Sequence, residues 1–389
     1  MHSNTIEVNV KPSVLQWLRE SAGLGVEDVA RRLRTSETAV QAWESGDRRP
    51  TLRTLEELSV FLKRPLAAFL LPQRPSEPPL PTDFRSLPGK EKLPMGRATR
   101  LAIREARRMQ ALAGDLTAQL ALPSRARIRK IALQTDPAAI AEVERTRLGI
   151  DIDEQAGWAS AHAAFSQWRR AIEQLGVLVF QLPMPVEEAR GFSLTDRGLP
   201  AIVVNSSDAI TARIFTLFHE YAHLLLDAAG VCLPHEGAED HGQVEKFCNH
   251  FSGALLVPKA ALLTDERAKQ IARATSVADA DLEQLAARFK VSKQVVWRRL
   301  QVCGLISTIR YQAKLRSWEQ QVRTSRKKPS FGVSPARRCV GQKGRLFTSV
   351  VLEAKERDLI TYSDMADYLS VRVKHLDRVQ GLLREQQNG

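Results

Sequence analysis

Cysteine is scarce in this chain. The four residues, Cys232, Cys248, Cys303 and Cys339, are scattered with no CxxC pair. That spacing argues against a disulfide framework and against a thiolate zinc site, and the four read as small buried hydrophobes in a reducing compartment. Long apolar runs are missing as well. None approaches the roughly 18 residues needed to cross a bilayer, and the opening MHSNTIEVNV is polar, without the apolar stretch of a secretion signal. These absences predict a cytoplasmic protein with no membrane partner. Acidic charge is in deficit: 44 Asp and Glu stand against 57 Lys and Arg, a formal charge of +13. Such an excess favours a polyanionic partner such as double-stranded DNA.

What is present fits a globular protein. Hydrophobic residues make up 43% and charged residues 26% of 389 residues, enough for two or three domains, each with its own core. Apolar residues recur at helical spacing from about Lys11 to Pro72, predicting a compact helical domain over 11–72. The stretch Gln73 to Pro88, QRPSEPPLPTDFRSLP, is dense in proline, which disfavours helix, so residues 73–97 read as an extended linker. Residues 98–305 form the next expected domain and 306–389 a helical C-terminal extension. Ala98 to Leu120 and Ala138 to Leu148 have helical patterns, whereas GVLVFQ (176–181), Ala189 to Leu194 and AIVVN (201–205) are short apolar runs broken by Pro, Gly and Asp. The fold class expected is therefore mainly α with a small β-sheet (α+β). From Ala209 to Asp227 the helical pattern returns, with Phe215, Phe218, Ala222 and Leu225 along one buried face. A basic, looser stretch is expected near Arg323 to Lys343.

Within the first domain, VEDVARRL (26–33) reads as a helix, Arg34 to Ser36 as a tight turn, and ETAVQAWE (37–44) as a second helix with Ser36 as its N-cap. In such a unit one helix braces on the DNA backbone while the next presents its outer side chains to base edges. Val29, Ala30, Leu33, Val40 and Trp43 are the expected core. Ser36, Glu37, Thr38, Gln41, Arg48 and Arg49 are the expected DNA-binding residues, reaching bases or phosphates. With the following turn from Trp43 to Pro50, the segment resembles the phage-repressor-like (Cro/CI, or XRE) helix-turn-helix family. The resemblance implies a five-helix domain acting as a homodimer on two-fold sites. The alternative is a helical bundle used for dimerisation or protein contact.

A second motif lies at His219, Glu220, Tyr221, Ala222, His223. Histidines four apart on a helix share one face, so His219 and His223 can point at one ion, while a glutamate beside them can take a water proton and pass it to a leaving amine. The pattern alone also permits two unrelated surface histidines. A catalytic zinc ion uses three protein ligands, and an acidic helix beginning near Val244 supplies Glu245 as the best third one. His235, His241 and His250 remain as alternative ligands or oxyanion stabilisers, and Tyr221 should be packing.

The blocks AIVVNSSDAITARIFTLFHEYAHLLL, EKFCNHFSGALLVP and Asp83, Phe84, Arg85 occur in an order that resembles the ImmA/IrrE metallopeptidase family across roughly Asp83 to Leu305. Asn205 and the FTLFHEYAHLLL core fit the family pattern, and Cys248 replaces an alanine in the second block. The resemblance implies a zincin-like domain that binds Zn2+ through His219, His223 and Glu245, with Glu220 as catalytic base. It also implies limited proteolysis of a repressor that often has its own helix-turn-helix.

Further on, LEQLAARFKVSKQVVWRRL (282–300) again reads as helix, turn, helix, with Val291 and Ser292 at the turn. Packing on the peptidase core or gripping a protein substrate is preferred over a second DNA-reading helix presenting Lys293, Gln294, Arg298 and Arg299. Phe347 to Leu382 has helical spacing and no evident chemistry. The expected function is a DNA-binding regulator fused to a zinc peptidase. The alternatives are a transcription factor whose HExxH domain is a non-catalytic sensor or docking module, and the antitoxin-like half of a two-gene system.

Overall fold

The computed structural model describes residues 6–75, 95–122, 126–195, 198–226, 238–321 and 333–385. They fall into two compact units: residues 6–75 with 95–105 and 183–188, and the remainder. Asp83, Phe84 and Arg85, most of the proline-rich stretch, Cys232, His235, the side chain of His241 and residues 322–332 lie outside the described residues.

The first unit contains α1 (Pro12–Ser21), α2 (Val26–Leu33), α3 (Glu37–Ser45) and α4 (Leu52–Leu62), followed by a 3-10 helix (Leu66–Leu70) that supplies the fifth helical element. Local chemistry sets the ends. Arg34 takes the left-handed conformation (φ 54°) that closes α2, Ser36 accepts a 3.2 Å hydrogen bond from the Ala39 amide at the start of α3, and Gly46 (φ 89°) ends α3. The core includes Val29, Ala30, Val40 and Trp43 with Leu18, Leu55, Leu58 and Phe69, while Leu33 is only partly buried at its edge. Burying each large apolar side chain contributes about 1.5–3 kcal/mol. Arg19 of α1 makes a bidentate pair with Glu44 of α3, both bonds 2.7 Å, fixing the angle at which α3 is held.

The second unit is built around a three-stranded sheet. The helix α5 (Arg97–Gln119), counted here from Ala106, is followed by α6 (Pro137–Leu148), α7 (Ile152–Gly157) and α8 (Ala161–Gln174). Next come β1 (Leu178–Leu182), β2 (Gly191–Leu194) and β3 (Ala201–Asn205), in sheet order β1-β3-β2. β1 runs parallel to β3, with Phe180 opposite Val203, and β2 runs antiparallel to it, with Phe192 opposite Val203. Asn205 ends β3: its side-chain amide donates to the Ala189 carbonyl (2.7 Å) and its side-chain oxygen accepts from the Ser207 amide (2.9 Å). The chain then enters α9 (Ile210–Leu225).

α9 does not have a single buried face. Every residue from Ile214 to Leu225 is buried, because α8, the sheet and α10 (Ala238–Leu256) enclose it. Trp168 of α8 stacks edge-on against Phe218 with ring centroids 4.9 Å apart. α11 (Lys259–Thr264) and α12 (Glu266–Arg273) lead to α13 (Asp279–Phe289) and α14 (Lys293–Val302). This last pair forms the expected second helix-turn-helix, with Lys290 left-handed (φ 56°) and Ser292 capping α14. Leu282, Leu285, Phe289, Val296, Trp297 and Leu300 join the main core, so the pair is a packing element. Arg299 is 3% exposed and donates to the Val257 carbonyl (3.0 Å), while Lys293 is paired with Asp279 at 2.6 Å. The Arg299 guanidinium is thus turned inward, whereas Gln294 and Arg298 are exposed.

The region from residue 306 belongs to the same unit. α15 (Thr308–Gln321) adds Trp318 to the core, and α16 (Pro335–Lys343) replaces the looser stretch expected up to Lys343. α17 (Arg345–Glu356), α18 (Tyr362–Leu369) and α19 (Leu376–Glu385) follow. Phe347 of α17 meets Phe180 of β1 edge-on at 5.9 Å, and the Arg169 side chain of α8 donates to the Gly341 carbonyl at 2.6 Å. Of the cysteines, Cys248 and Cys339 are buried as expected and Cys303 is half-buried. Burial pushes the Cys339 thiol up to about 11. Among the described residues no helix is long and apolar enough to cross a membrane.

Candidate functional site

His219 and His223 sit one turn apart on α9, both buried, with their Nε2 atoms 3.2 Å from each other. Glu245, in the second described turn of α10, brings one carboxylate oxygen to 3.4 Å from His219 Nε2 and the other to 3.2 Å from His223 Nε2. The approach is made by packing: α9 and α10 lie side by side, and the apolar flanks Phe218, Leu225, Phe247, Cys248 and Phe251 share one core. The Glu245 side chain is 36% exposed, so the cluster opens to solvent on that side.

The donor set fits a metal ion. Ligand bonds of about 2.0–2.1 Å at tetrahedral angles place neighbouring ligand atoms about 3.3 Å apart; the two Nε2 atoms are 3.2 Å apart, each has a Glu245 oxygen within 3.4 Å, and one ligand atom from each residue lies within 4.8 Å of the others. A cation held between the two Nε2 atoms and the carboxylate would satisfy all three side chains at once. The two imidazoles and the carboxylate form a group able to hold a metal ion. Burial pushes the Glu245 carboxyl up, but hydrogen bonds from His219 and His223 outweigh it and hold the group well below the usual carboxylate range.

Glu220 is 1% exposed and follows His219 directly on α9. It lies against the first residue of β2: a Cβ built at Gly191 falls 3.5 Å from Glu220 Cγ, 2.7 Å from the Val203 carbonyl oxygen, and closer still to Thr216 Cγ2. Only glycine lets strand and helix approach this closely. Sequence reading passed over Gly191, although a glycine inside a strand pattern is a known sign of such an approach. The motif's own geometry also left Tyr221 incompletely read. It packs, as expected, but its hydroxyl also donates to Glu144 Oε2 of α6 at 2.6 Å. Arg145, beside Glu144, donates to the Leu255 carbonyl (2.8 Å) at the end of α10. α6 therefore fastens both helices that carry the His219, His223 and Glu245 cluster.

His250 does not join the cluster. It is half-buried, with its imidazole held below its ordinary value by burial and then by Arg299. In the first unit Ser36, Glu37, Thr38 and Gln41 are exposed around the outer face of α3, and Arg48 and Arg49 are exposed in the turn after it. Ser36 and Thr38 also hydrogen-bond to each other at 2.8 Å.

Two family models match the chain. The family model of the IrrE N-terminal-like domain, peptidase family M78, matches residues 172–301, a span that includes β1 to β3, His219, Glu220, His223 and Glu245. A helix-turn-helix family model matches residues 15–69, and no curated protein matches the chain. The chain thus joins a helix-turn-helix domain of the XRE type to an IrrE/ImmA-like domain of peptidase family M78.

Proposed function

We propose that the protein is a DNA-binding regulator whose second unit is a zinc-dependent peptidase acting on another protein, with a helix-turn-helix repressor as the substrate class. The observation that carries the peptidase reading is the convergence of His219, His223 and Glu245 into a group able to hold one metal ion, with Glu220 next to them on α9. In this reading those three residues hold Zn2+, which supplies Lewis acidity toward a peptide carbonyl. Glu220, enclosed by α9 and β2, is the general base that accepts a water proton and delivers it to the departing amine. Tyr221 and Glu144 hold the helix that carries these groups.

DNA recognition is assigned to α3, with Gln41, Thr38 and Glu37 toward base edges and Ser36, Arg48 and Arg49 toward phosphates. The fusion of the two units supports a regulator that is steered to an operator and removes a protein bound there or nearby. Co-expression with a neighbouring repressor tests the chemistry. Wild type should cleave it and Glu220→Gln, retaining metal, should not; equal cleavage by both would remove Glu220 as the base.

A further inference from the structure

The C-terminal end of α10 is held by side chains from three other elements. The last carbonyls of a helix find no amide within it, and Pro258, with no N–H to give, follows directly after Val257. Leu255, Leu256 and Val257 are fully buried, so their carbonyls depend on donors from the protein itself. Arg145 Nη1 of α6 donates to the Leu255 carbonyl (2.8 Å), Gln155 Nε2 of α7 to the Leu256 carbonyl (3.0 Å) and Arg299 Nε of α14 to the Val257 carbonyl (3.0 Å). Two of these donors are guanidinium groups, which carry the charge that the C-terminal end of a helix favours.

The donors are themselves fixed in place. Gln155 is fully buried; its Oε1 accepts from Arg145 Nη1 (2.7 Å), and its Nε2 also donates to the Phe289 carbonyl at the end of α13 (2.6 Å). Arg145 Nη2 donates to the Asp151 carbonyl (2.8 Å). The same guanidinium lies over the Trp168 ring at 5.4 Å, and that ring stacks on Phe218, the residue before His219. Arg299 crosses α10 at Gly253, where an added Cβ would fall 3.0 Å from Arg299 Cδ. Burial lowers both guanidinium groups from their ordinary value, Arg145 to about 10. Positive charge is kept in the interior here to meet the carbonyls.

Apolar packing between α9 and α10 is non-directional and by itself permits sliding and rotation. Directional bonds at one end of a stiff helix remove that freedom, and Glu245 stands on the same helix about 15 Å from Leu255, at about 1.5 Å per residue. One turn of α6 ties both helices: Glu144 bonds α9 through Tyr221, and Arg145 bonds α10 through Leu255. We propose that Arg145, Gln155 and Arg299 are positioning residues for Glu245. By anchoring the last carbonyls of α10 they set its height and rotation against α9, and with them the placement of the Glu245 carboxylate beside His219 and His223. This role rests on the metal ligation proposed above.

Zinc affinity of the full chain, measured by competition with a chromophoric chelator, and urea unfolding of the metal-free protein test this together. Arg299→Met and Gln155→Met keep the length of the side chain and remove its donors. Each folded variant should bind zinc about tenfold more weakly than wild type, the lower end of the range for groups that orient a ligand. Arg299→Lys, which keeps the stem and the charge, should lose less and serves if the other two fail to fold. In a Glu245→Ala background the same substitutions should cause no further loss, because they act through Glu245. Lowered urea stability with unchanged zinc affinity, or an equal loss with and without Glu245, would overturn the positioning role. Wild type that binds no zinc, or Glu245→Ala that binds it as tightly as wild type, would instead remove the metal reading itself, and this role with it.

Discussion

The Tyr221 hydroxyl donates a 2.6 Å hydrogen bond to Glu144 Oε2, joining the centre of α9 to α6 in the interior of the second unit. Tyr221 is fully buried and Glu144 nearly so, with Arg147 3.5 Å from the same carboxylate oxygen. The bond is a tether on the helix that carries His219 and His223, and its loss should be felt as stability and as metal affinity.

Tyr221→Phe is expected to destabilise the second unit by about 1.5–3 kcal/mol, the range for a hydrogen bond to a charged group. Urea unfolding monitored on the metal-free protein measures it. Burial, followed by the Glu144 charge, raises the Tyr221 phenol above its ordinary value. The sign follows: the unfolded chain releases the proton at about pH 10 while the folded chain retains it, so this contribution is full below about pH 10 and falls as pH rises further. Tyr221→Phe should lack that alkaline component. An identical alkaline stability profile in both proteins would remove Tyr221 as its source.

Zinc content follows from the cluster geometry. The purified chain should hold about one zinc ion, since a single group of three ligand residues is found among the described residues. His219→Ala and His223→Ala should lose it. Metal bound only to the folded state stabilises by mass action, about 4 kcal/mol at a thousandfold excess over the dissociation constant. Chelation should therefore lower the melting temperature of wild type and leave His223→Ala unchanged. A fully folded, metal-free wild type that gains no stability from added zinc would sink the metal reading.

Gly191→Ala probes the contact behind Glu220. The added methyl group meets Thr216 and the Val203 carbonyl, so strand β2 or helix α9 must shift. Overpacking of this kind costs about 1–3 kcal/mol. Peptidase activity should fall further than zinc occupancy, because the displaced wall is the one against Glu220. A variant with wild-type stability and activity would show that the wall yields without consequence.

DNA binding is expected to fall steeply with salt on a short inverted repeat. Arg48→Ala should reduce the salt slope by about one and weaken all sequences alike, whereas Gln41→Ala should cost about 1–3 kcal/mol at one base position. Fluorescence anisotropy with matched and shuffled operators separates the two effects. If neither substitution changes affinity, α3 is a dimerisation surface and not a reading helix.

Several features of this protein are decided by residues near one another in the chain. The i, i+4 spacing puts His219 and His223 on one helical face, and the caps at Ser36 and Ser292 mark where α3 and α14 begin. The strand segments were legible because proline, glycine and aspartate break short apolar runs. These follow from backbone geometry and local hydrogen bonding. What the local pattern left open was settled by packing between distant segments. Glu245 reaches the histidines because α9 and α10 share a core, and Glu144 reaches Tyr221 because α6 lies beside them. Gly191 is needed because β2 presses on α9, and Arg299, polar and outward by its residue type alone, turns inward to bond the Val257 carbonyl. Periodicity gives α9 one apolar face, yet neighbours enclose it on every side. Spacing along a helix fixes direction within that helix; which surface it meets depends on how the whole core closes, and that is the physical reason the position of Glu245 beside the histidines, and the contacts that support it, follow only from the tertiary structure.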